Sequence, residues 1–273
     1  MAGVPNKISM RADLYLSQNG HTQSRQRARN LIEEGCVWID GVKVEKPSLQ
    51  IDDGDHTVKI HDPIRYVGRG GLKLEAALEQ FGIDASGLRA LDIGASTGGF
   101  TDCLLQHGAK RVFAVDSGEN QLAQKLLTDE RVVSLEHYNA RNLDISDLGG
   151  TSVDLIVMDV SFISATYILP RFPSVMKAGA QAIVLIKPQF EVGKTMLGKG
   201  GIVKDARAHR YAVERVLDCA RSVGLVPTKL IASPIFGGDG NREFLACFAY
   251  GTEEEPCVSS DTVTSVTGAR CSI

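Results

Sequence analysis

Between residues 88 and 250 short apolar runs alternate with stretches in which apolar residues recur three and four positions apart. Runs at 88–93, 111–116, 131–135, 153–158, 180–186, 226–232 and 243–250 predict strands, and stretches near 99–107, 119–127, 165–176 and 206–222 predict helices. Such alternation predicts an α/β fold, a parallel sheet with crossover helices. Ahead of it, Leu74, Ala77, Leu78 and Phe81 repeat at core spacing and predict a helix, with Lys73 in its first turn off the apolar stripe. The tail from Gly251 runs through Glu253-Glu254-Glu255-Pro256 into serines and threonines without periodic apolar residues. It is expected to be disordered.

The first sixty-odd residues follow a different pattern, that of a small α+β unit. Ala12, Leu14 and Leu16 predict a helix from Met10 to Ser17. Thr22 or Ser24 can cap a second helix, Arg25 to Glu34, closed by Gly35, with Arg25 and Arg29 one turn apart on one face. Val37-Trp38-Ile39, Asp40-Gly41 and Val42-Lys43-Val44 predict a hairpin with a type I′ turn, and His56 to Ile60 a further strand. Pro63 and glycines 68, 70 and 71 then break any periodicity. The expected organisation is a small domain over 8–62, a linker over 63–71 whose Arg65 and Arg69 continue a basic track, a large domain over 72–250, and the tail over 251–273.

The most informative stretch is Leu88 to Phe100. An apolar run ends at Asp92 and breaks into Gly94, Gly98 and Gly99 before a helical pattern, so it predicts strand, tight turn and helix with a ligand at the turn. A dinucleotide fingerprint is not met, because Ser96 stands at the second glycine position. A phosphate-binding loop is absent as well, because Pro188 stands where Gly193-Lys194-Thr195 would need a glycine. The remaining pattern, D-x-G-x-x-x-G-G at a strand end, resembles the first motif of S-adenosylmethionine-dependent methyltransferases. Asp116 closes the next apolar run, where an acidic residue can accept hydrogen bonds from both hydroxyls of a ribose.

Composition narrows the classes. The chain has 273 residues and a formal charge of −3, so a nucleic-acid surface must be a local patch. No stretch approaches the length of an apolar membrane span and the N-terminus has no apolar signal core, which predicts a soluble, cytoplasmic protein. Six scattered cysteines form no C-x-x-C pair, which argues against a metal or disulfide framework.

In a parallel sheet the ligand crevice lies beyond the carboxyl ends of the strands. Asp159 and Lys187 end two predicted strands there, and Glu243 opens the last strand, which reaches the same edge if it runs antiparallel. Lys73 can join them from the preceding helix. A ribose hydroxyl is a very weak acid and must begin to lose its proton as it attacks a methyl on a sulfonium. The expected roles are Lys187 as base, Asp159 and Glu243 as orienting partners, and Lys73 as the neighbouring cation that favours the free amine or steadies the nascent alkoxide. The glycine-rich loop Glu191 to Asp205, with Lys194, Lys199 and Lys204, is either a plain long loop or a mobile lid that meets RNA, and its length favours a functional role.

The N-terminal order, S-R-x-x-A-x-x-L-I-x-x-G followed by V-x-I-D-G, resembles the small RNA-binding domain named after the fourth ribosomal protein of the small subunit. That resemblance implies a basic face built from Arg11, Ser24, Arg25, Arg29 and Lys43. Lys73, Asp159, Lys187 and Glu243 match the K-D-K-E pattern of FtsJ-like ribose methyltransferases. With Gly68-Arg69-Gly70-Gly71-Leu72-Lys73-Leu74, Met158 to Ser164 and Ile186-Lys187-Pro188-Gln189-Phe190-Glu191, the chain resembles the TlyA family to about residue 250. The resemblance implies a seven-stranded Rossmann-like methyltransferase sheet whose last strand is antiparallel, inserted between its two predecessors. It implies S-adenosyl-L-methionine as cofactor, held by Asp92, Gly94, Ala95, Ser96, Gly98, Gly99, Phe100, Asp116, Asn139 and Asp159. It also implies 2′-O-methylation of cytidine in ribosomal RNA, free or in ribosomal subunits, with no metal. The turn Asn139-Ala140-Arg141 departs from the acidic residue that many methyltransferases carry there. Three other readings compete: a membrane-active haemolysin, a label that members of the family have carried, a non-catalytic RNA-binding assembly factor, and a small-molecule methyltransferase.

Overall fold

The computed structural model describes residues 9–22, 24–33, 35–60, 65–253 and 256–268. The chain divides into two compact units, one ending at Arg65 and the other starting at Tyr66. Residues 8, 34, 61–64, 254–255 and 269–273, which carry parts of the predicted domain start, second helix, linker and tail, lie outside the described residues.

The first unit runs β1 (Ser9–Arg11), α1 (Ala12–Gln18), α2 (Arg25–Glu33), β2 (Val37–Ile39), β3 (Val42–Lys43), β4 (Gln50–Asp52) and β5 (Val58–Ile60). Helix α2 turns Ala28, Leu31 and Ile32 inward, against Leu16 of α1 and Val37 of β2. The predicted hairpin forms, with Trp38 opposite Lys43 and Ile39 opposite Val42. Its turn residues Asp40 and Gly41 have φ of 52° and 79°, both left-handed as a type I′ turn requires. The first helix starts at Ala12 rather than Met10, because Met10 pairs with Ile51 in an antiparallel β1–β4 ladder.

The second unit runs α3 (Gly70–Phe81), β6 (Arg89–Ile93), α4 (Gly99–Gln106), β7 (Arg111–Val115), α5 (Gln124–Leu127), β8 (Val132–Leu135), β9 (Val153–Met158), α6 (Phe172–Val175), β10 (Met176–Ile186), α7 (Pro188–Glu191), α8 (Ala206–Ser222), β11 (Leu225–Ala232), β12 (Phe244–Tyr250) and α9 (Ser260–Thr267). Its sheet has seven strands in the order β11-β12-β10-β9-β6-β7-β8. Strand β12 pairs antiparallel with both β10 and β11, and the pairs from β10 through β8 are parallel. The last strand is therefore inserted between its two predecessors, as expected. Leu91, Ile156, Val184 and Phe248 are buried in the sheet, and Val213, Val216 and Leu217 of α8 join the same core. Among the described residues no helix is long and apolar enough to cross a membrane.

Four expectations are corrected. The predicted helix over 119–127 shrinks to Gln124–Leu127. The one over 165–176 becomes 3₁₀ turns at Ala165–Tyr167 and Leu169–Arg171 followed by α6, because Pro170 and Pro173 lack the amide N–H that a continuous helix needs. Of the expected linker, residues 66–71 belong to the second unit. Tyr66 is buried, the Val67 amide donates to Asp102 Oδ2 at 2.8 Å, and Gly71 lies so close to the Tyr66 ring that a Cβ would stand 2.3 Å from Cγ. The tail is not disordered throughout: α9 packs on α8 and β11 with Val258 and Val263 buried, and Arg242 Nη2 donates to the Val266 carbonyl at 3.2 Å.

Candidate active site

Strand β6 delivers the chain to a turn that its glycines make possible. Gly94 has φ 83°, and a Cβ there would stand 2.3 Å from the Asp159 carbonyl oxygen. A side chain is excluded on both counts. Ser96 is left-handed too, at φ 47°, and its amide donates to Asp116 Oδ2 at 2.7 Å, while the Gly118 amide donates to Asp116 Oδ1 at 2.7 Å. The Asp116 carboxylate is thereby fixed at the end of β7, with lone pairs left to accept from a ligand.

Two adjoining cavities open along the carboxyl edge of the sheet. The larger, about 340 Å³, has an apolar wall of Ile93, Val115, Tyr138, Ile163 and Ile168 and a polar side of Asp116, Ser117, Gln121 and Asn139. The smaller, about 200 Å³, is lined by Gly68, Arg69, Gly70, Ala95, Thr97, Gly99, Phe100 and Lys187. Gly94, Ser96, Asp159 and Ser161 line both. The larger cavity falls in the usual range for a small-molecule site. An apolar wall beside an anchored carboxylate, reached over a turn at Gly94 that admits no side chain, fits a nucleoside-bearing cofactor. Asp92 and Gly98 line neither cavity. Asp92 is fully buried and accepts from Thr101 Oγ1 at 2.6 Å, and burial pushes its carboxyl up to about 7. Gly98 sits at the start of α4 at φ 96°, where a Cβ would run into Leu126. The Asn139 side chain caps its own turn, accepting from the Arg141 amide at 3.1 Å.

The four ionisable residues meet as two pairs. Lys187 Nζ lies 2.6 Å from Asp159 Oδ1 and donates to Ser161 Oγ at 2.8 Å. Lys73 Nζ lies 2.5 Å from Glu243 Oε2, and both are buried. Ile186 pairs with Phe244, so Lys187 and Glu243 are neighbours at one end of the β10–β12 ladder. Lys73 and Glu243 nevertheless line neither cavity. Behind the site, Glu191 is buried and accepts from Ser164 Oγ at 2.5 Å and the Ala165 amide at 2.7 Å. Burial holds its carboxyl above the usual range.

In the first unit Arg11 and Arg25 share one acid. Arg11 Nε is 3.0 Å from Asp13 Oδ1 and Arg25 Nε is 3.1 Å from Asp13 Oδ2, with Asp13 fully buried. Arg29 lies 3.9 Å from Glu33, Ser24 Oγ accepts from the Arg27 amide at 3.2 Å, and Lys43 stands over the Trp38 ring. Arg65 is exposed, and Arg69 borders the smaller cavity.

Residues 66–250 match the FtsJ-like methyltransferase family, and residues 10–56 match the S4 domain. The chain belongs to the FtsJ-like methyltransferase family. A protein named Hemolysin A from Brachyspira hyodysenteriae is 43% identical over 243 residues, 88% of this chain and 99% of that protein. One named 16S/23S rRNA (cytidine-2'-O)-methyltransferase TlyA from Mycobacterium tuberculosis is 44% identical over 235 residues, 86% of this chain and 87% of that protein. A solved chain from Streptococcus thermophilus that bears a hemolysin label superposes with a TM-score of 0.77 at 40% identity, covering 95% of this chain and 94% of that one. With its S4 domain this FtsJ-like chain groups with the TlyA proteins.

Several residues of the FtsJ-like site were not singled out from the sequence. Ser161 and Phe162 stand two and three positions after Asp159; Phe162 is 92% exposed and left-handed at φ 64°, a conformation unusual for a bulky residue. Glu191 closes the Ile186-Lys187-Pro188-Gln189-Phe190-Glu191 stretch, and its partners Ser164 and Ala165 become visible only in the fold. For Ser161 a signal existed, a hydroxyl two positions past a strand-end aspartate, but spacing alone does not say that Lys187 meets it.

Proposed function

We propose that this protein uses S-adenosylmethionine to methylate the ribose 2′-hydroxyl of cytidine in ribosomal RNA, presented by a ribosomal subunit in the cytoplasm. The observation that carries the reading is the Lys187–Asp159 contact of 2.6 Å beside a cavity that shares four residues with the nucleoside-sized one. In this reading the unit up to Arg65 captures RNA through Arg11, Arg25, Arg29 and Lys43, and the unit from Tyr66 carries the chemistry.

Asp116 would accept from the cofactor's ribose hydroxyls, with the apolar wall around Val115 and Ile168 and the Asn139 side chain completing the pocket that would hold it. When bound, S-adenosylmethionine supplies an electrophilic methyl on a sulfonium. Lys187 takes the proton from the 2′-oxygen, and Asp159 balances the charge the amine gains. The loop bearing Phe162 offers an exposed aromatic face on which an unstacked base can rest. Lys73 and Glu243, outside both cavities, act as a positioning pair through the strand next to Lys187.

The test is methyl transfer from radiolabelled S-adenosylmethionine to purified ribosomal subunits by wild type and Lys187→Ala, with products mapped by primer extension sensitive to ribose methylation. Label on a cytidine ribose, lost in the variant, is expected. Absence of label on either subunit with cofactor binding intact would overturn the reading in favour of a non-catalytic RNA-binding role.

A further inference from the structure

We propose that Ser161 is a positioning residue that aims the Lys187 amine at the substrate hydroxyl. The proposal rests on the reading that Lys187 is the base.

A neutral amine carries two N–H donors and one lone pair, arranged tetrahedrally with its carbon. Among the described residues Lys187 Nζ has two partners, Asp159 Oδ1 at 2.6 Å and Ser161 Oγ at 2.8 Å. Ser161 Oγ accepts one N–H, whereas Asp159 Oδ1 stands in ion-pair contact outside hydrogen-bond geometry. The Ser161 hydrogen bond is therefore what fixes rotation about the Cε–Nζ bond, and with it the direction of the lone pair. With Asp159 alone the amine can turn about its Cε–Nζ bond and offer an N–H where the lone pair is needed. In the proton transfer itself the 2′-O–H bond breaks and the proton bonds to that lone pair. The resulting ammonium keeps both protein contacts and returns the proton to solvent after turnover.

The surroundings show that the Ser161–Lys187 contact is built into the fold. Strands β9 and β10 pair with Met158 opposite Val184, and the same offset carried past the strand ends sets Ser161 level with Lys187. The segments that follow the two strands are joined a second time by the buried Glu191 at the end of α7, which accepts from Ser164 Oγ and the Ala165 amide. A left-handed Phe162 lies between the two junctions. Such backbone strain persists where its surroundings over-determine it, and here the loop is pinned on both sides of the strained residue. Ser161 also lines both cavities, at the boundary between cofactor and substrate space.

The experiment measures single-turnover methylation of ribosomal subunits by the full-length wild type, Ser161→Ala, Ser161→Thr and Lys187→Ala. Dissociation constants for S-adenosylmethionine and for RNA are measured on each variant. The amine gains charge as it takes the proton, and a hydrogen bond to a charged group is worth enough that its loss lowers a rate about ten- to a hundredfold. Ser161→Ala is expected to lose that much rate with both dissociation constants within about twofold of wild type, and Ser161→Thr, which keeps the hydroxyl, to regain most of it. Ser161→Ala at the wild-type rate beside an inactive Lys187→Ala would overturn the positioning role and leave the base assignment standing. Weakened cofactor binding that accounts for the lost rate, or a threonine variant no faster than the alanine one, would also overturn it. An active Lys187→Ala would bring down the base assignment itself.

Discussion

Lys73 Nζ and Glu243 Oε2 stand 2.5 Å apart although 170 residues separate them, and neither side chain is more than 9% exposed. Removing one member of such a pair leaves a buried charge without its partner, which costs about 3–5 kcal/mol. Lys73→Met and Glu243→Gln are each expected to lower stability toward urea by an amount of that order and to impair methylation. The double variant Lys73→Met/Glu243→Leu is expected to regain most of the stability but not the activity. Equal stability of wild type and single variants would show that the pair is not energetically coupled.

Asp92 gives a pH signature. Burial is the main cause of its raised pKa of about 7, reinforced by the charges of Asp159 and Asp116 and opposed by the hydrogen bond from Thr101. An acid whose pKa rises on folding binds more protons in the native state. Its contribution to stability is complete below the unfolded pKa of about 4 and is lost as pH rises through about 7. Asp92→Asn removes that dependence. Its stability relative to wild type is expected to grow between pH 4 and 7 and then level off, by an amount on the order of a few kcal/mol. Urea unfolding at a series of pH values checks this, and a difference independent of pH would refute it.

The parallel strands were legible because strands buried on both faces read as continuous apolar runs, as in β6, β7, β9 and β10. Asp159, Lys187 and Asp116 were legible because each interrupts such a run at its carboxyl end. The ladder of β1 with β4 was not, since three-residue strands carry no period. In the segment from Ala165 to Met176 the apolar spacing is helical, and the two prolines override it. Asp13 and Glu191 owe their roles to partners from other elements: Arg25 lies twelve residues after Asp13, and Ser164 lies on the loop after a different strand from Glu191. No local pattern encodes such meetings.

Helix α9 illustrates the same limit and yields a prediction. Its sequence, rich in serine and threonine, has weak helix propensity, and the helix exists because Val258 and Val263 are buried against the sheet domain. Val263→Ala is expected to cost about 1–3 kcal/mol. Truncation after Gly251 also removes the Val266 carbonyl that Arg242 contacts, next to Glu243, and should lower the melting temperature and the methylation rate together. A truncated chain that melts and methylates like wild type would show that α9 is dispensable.

The buried Asp13 holds Arg11 and Arg25 by 3.0 and 3.1 Å contacts, so orientation and charge can be separated at the RNA-binding face. Each guanidinium keeps further donors, and fixing its plane in advance lowers the ordering cost of meeting a phosphate. Arg25→Ala is expected to weaken RNA binding and to reduce the salt dependence by about one unit of log-log slope, as loss of one phosphate contact predicts. Asp13→Asn makes the protein one charge more positive. If charge alone governed binding, it would bind RNA more tightly. If the carboxylate serves to aim the two arginines, binding weakens while the added positive charge remains. We expect the second result in a titration of labelled ribosomal RNA at fixed salt, and tighter binding by Asp13→Asn would show that the arginines work by charge and not by preset direction.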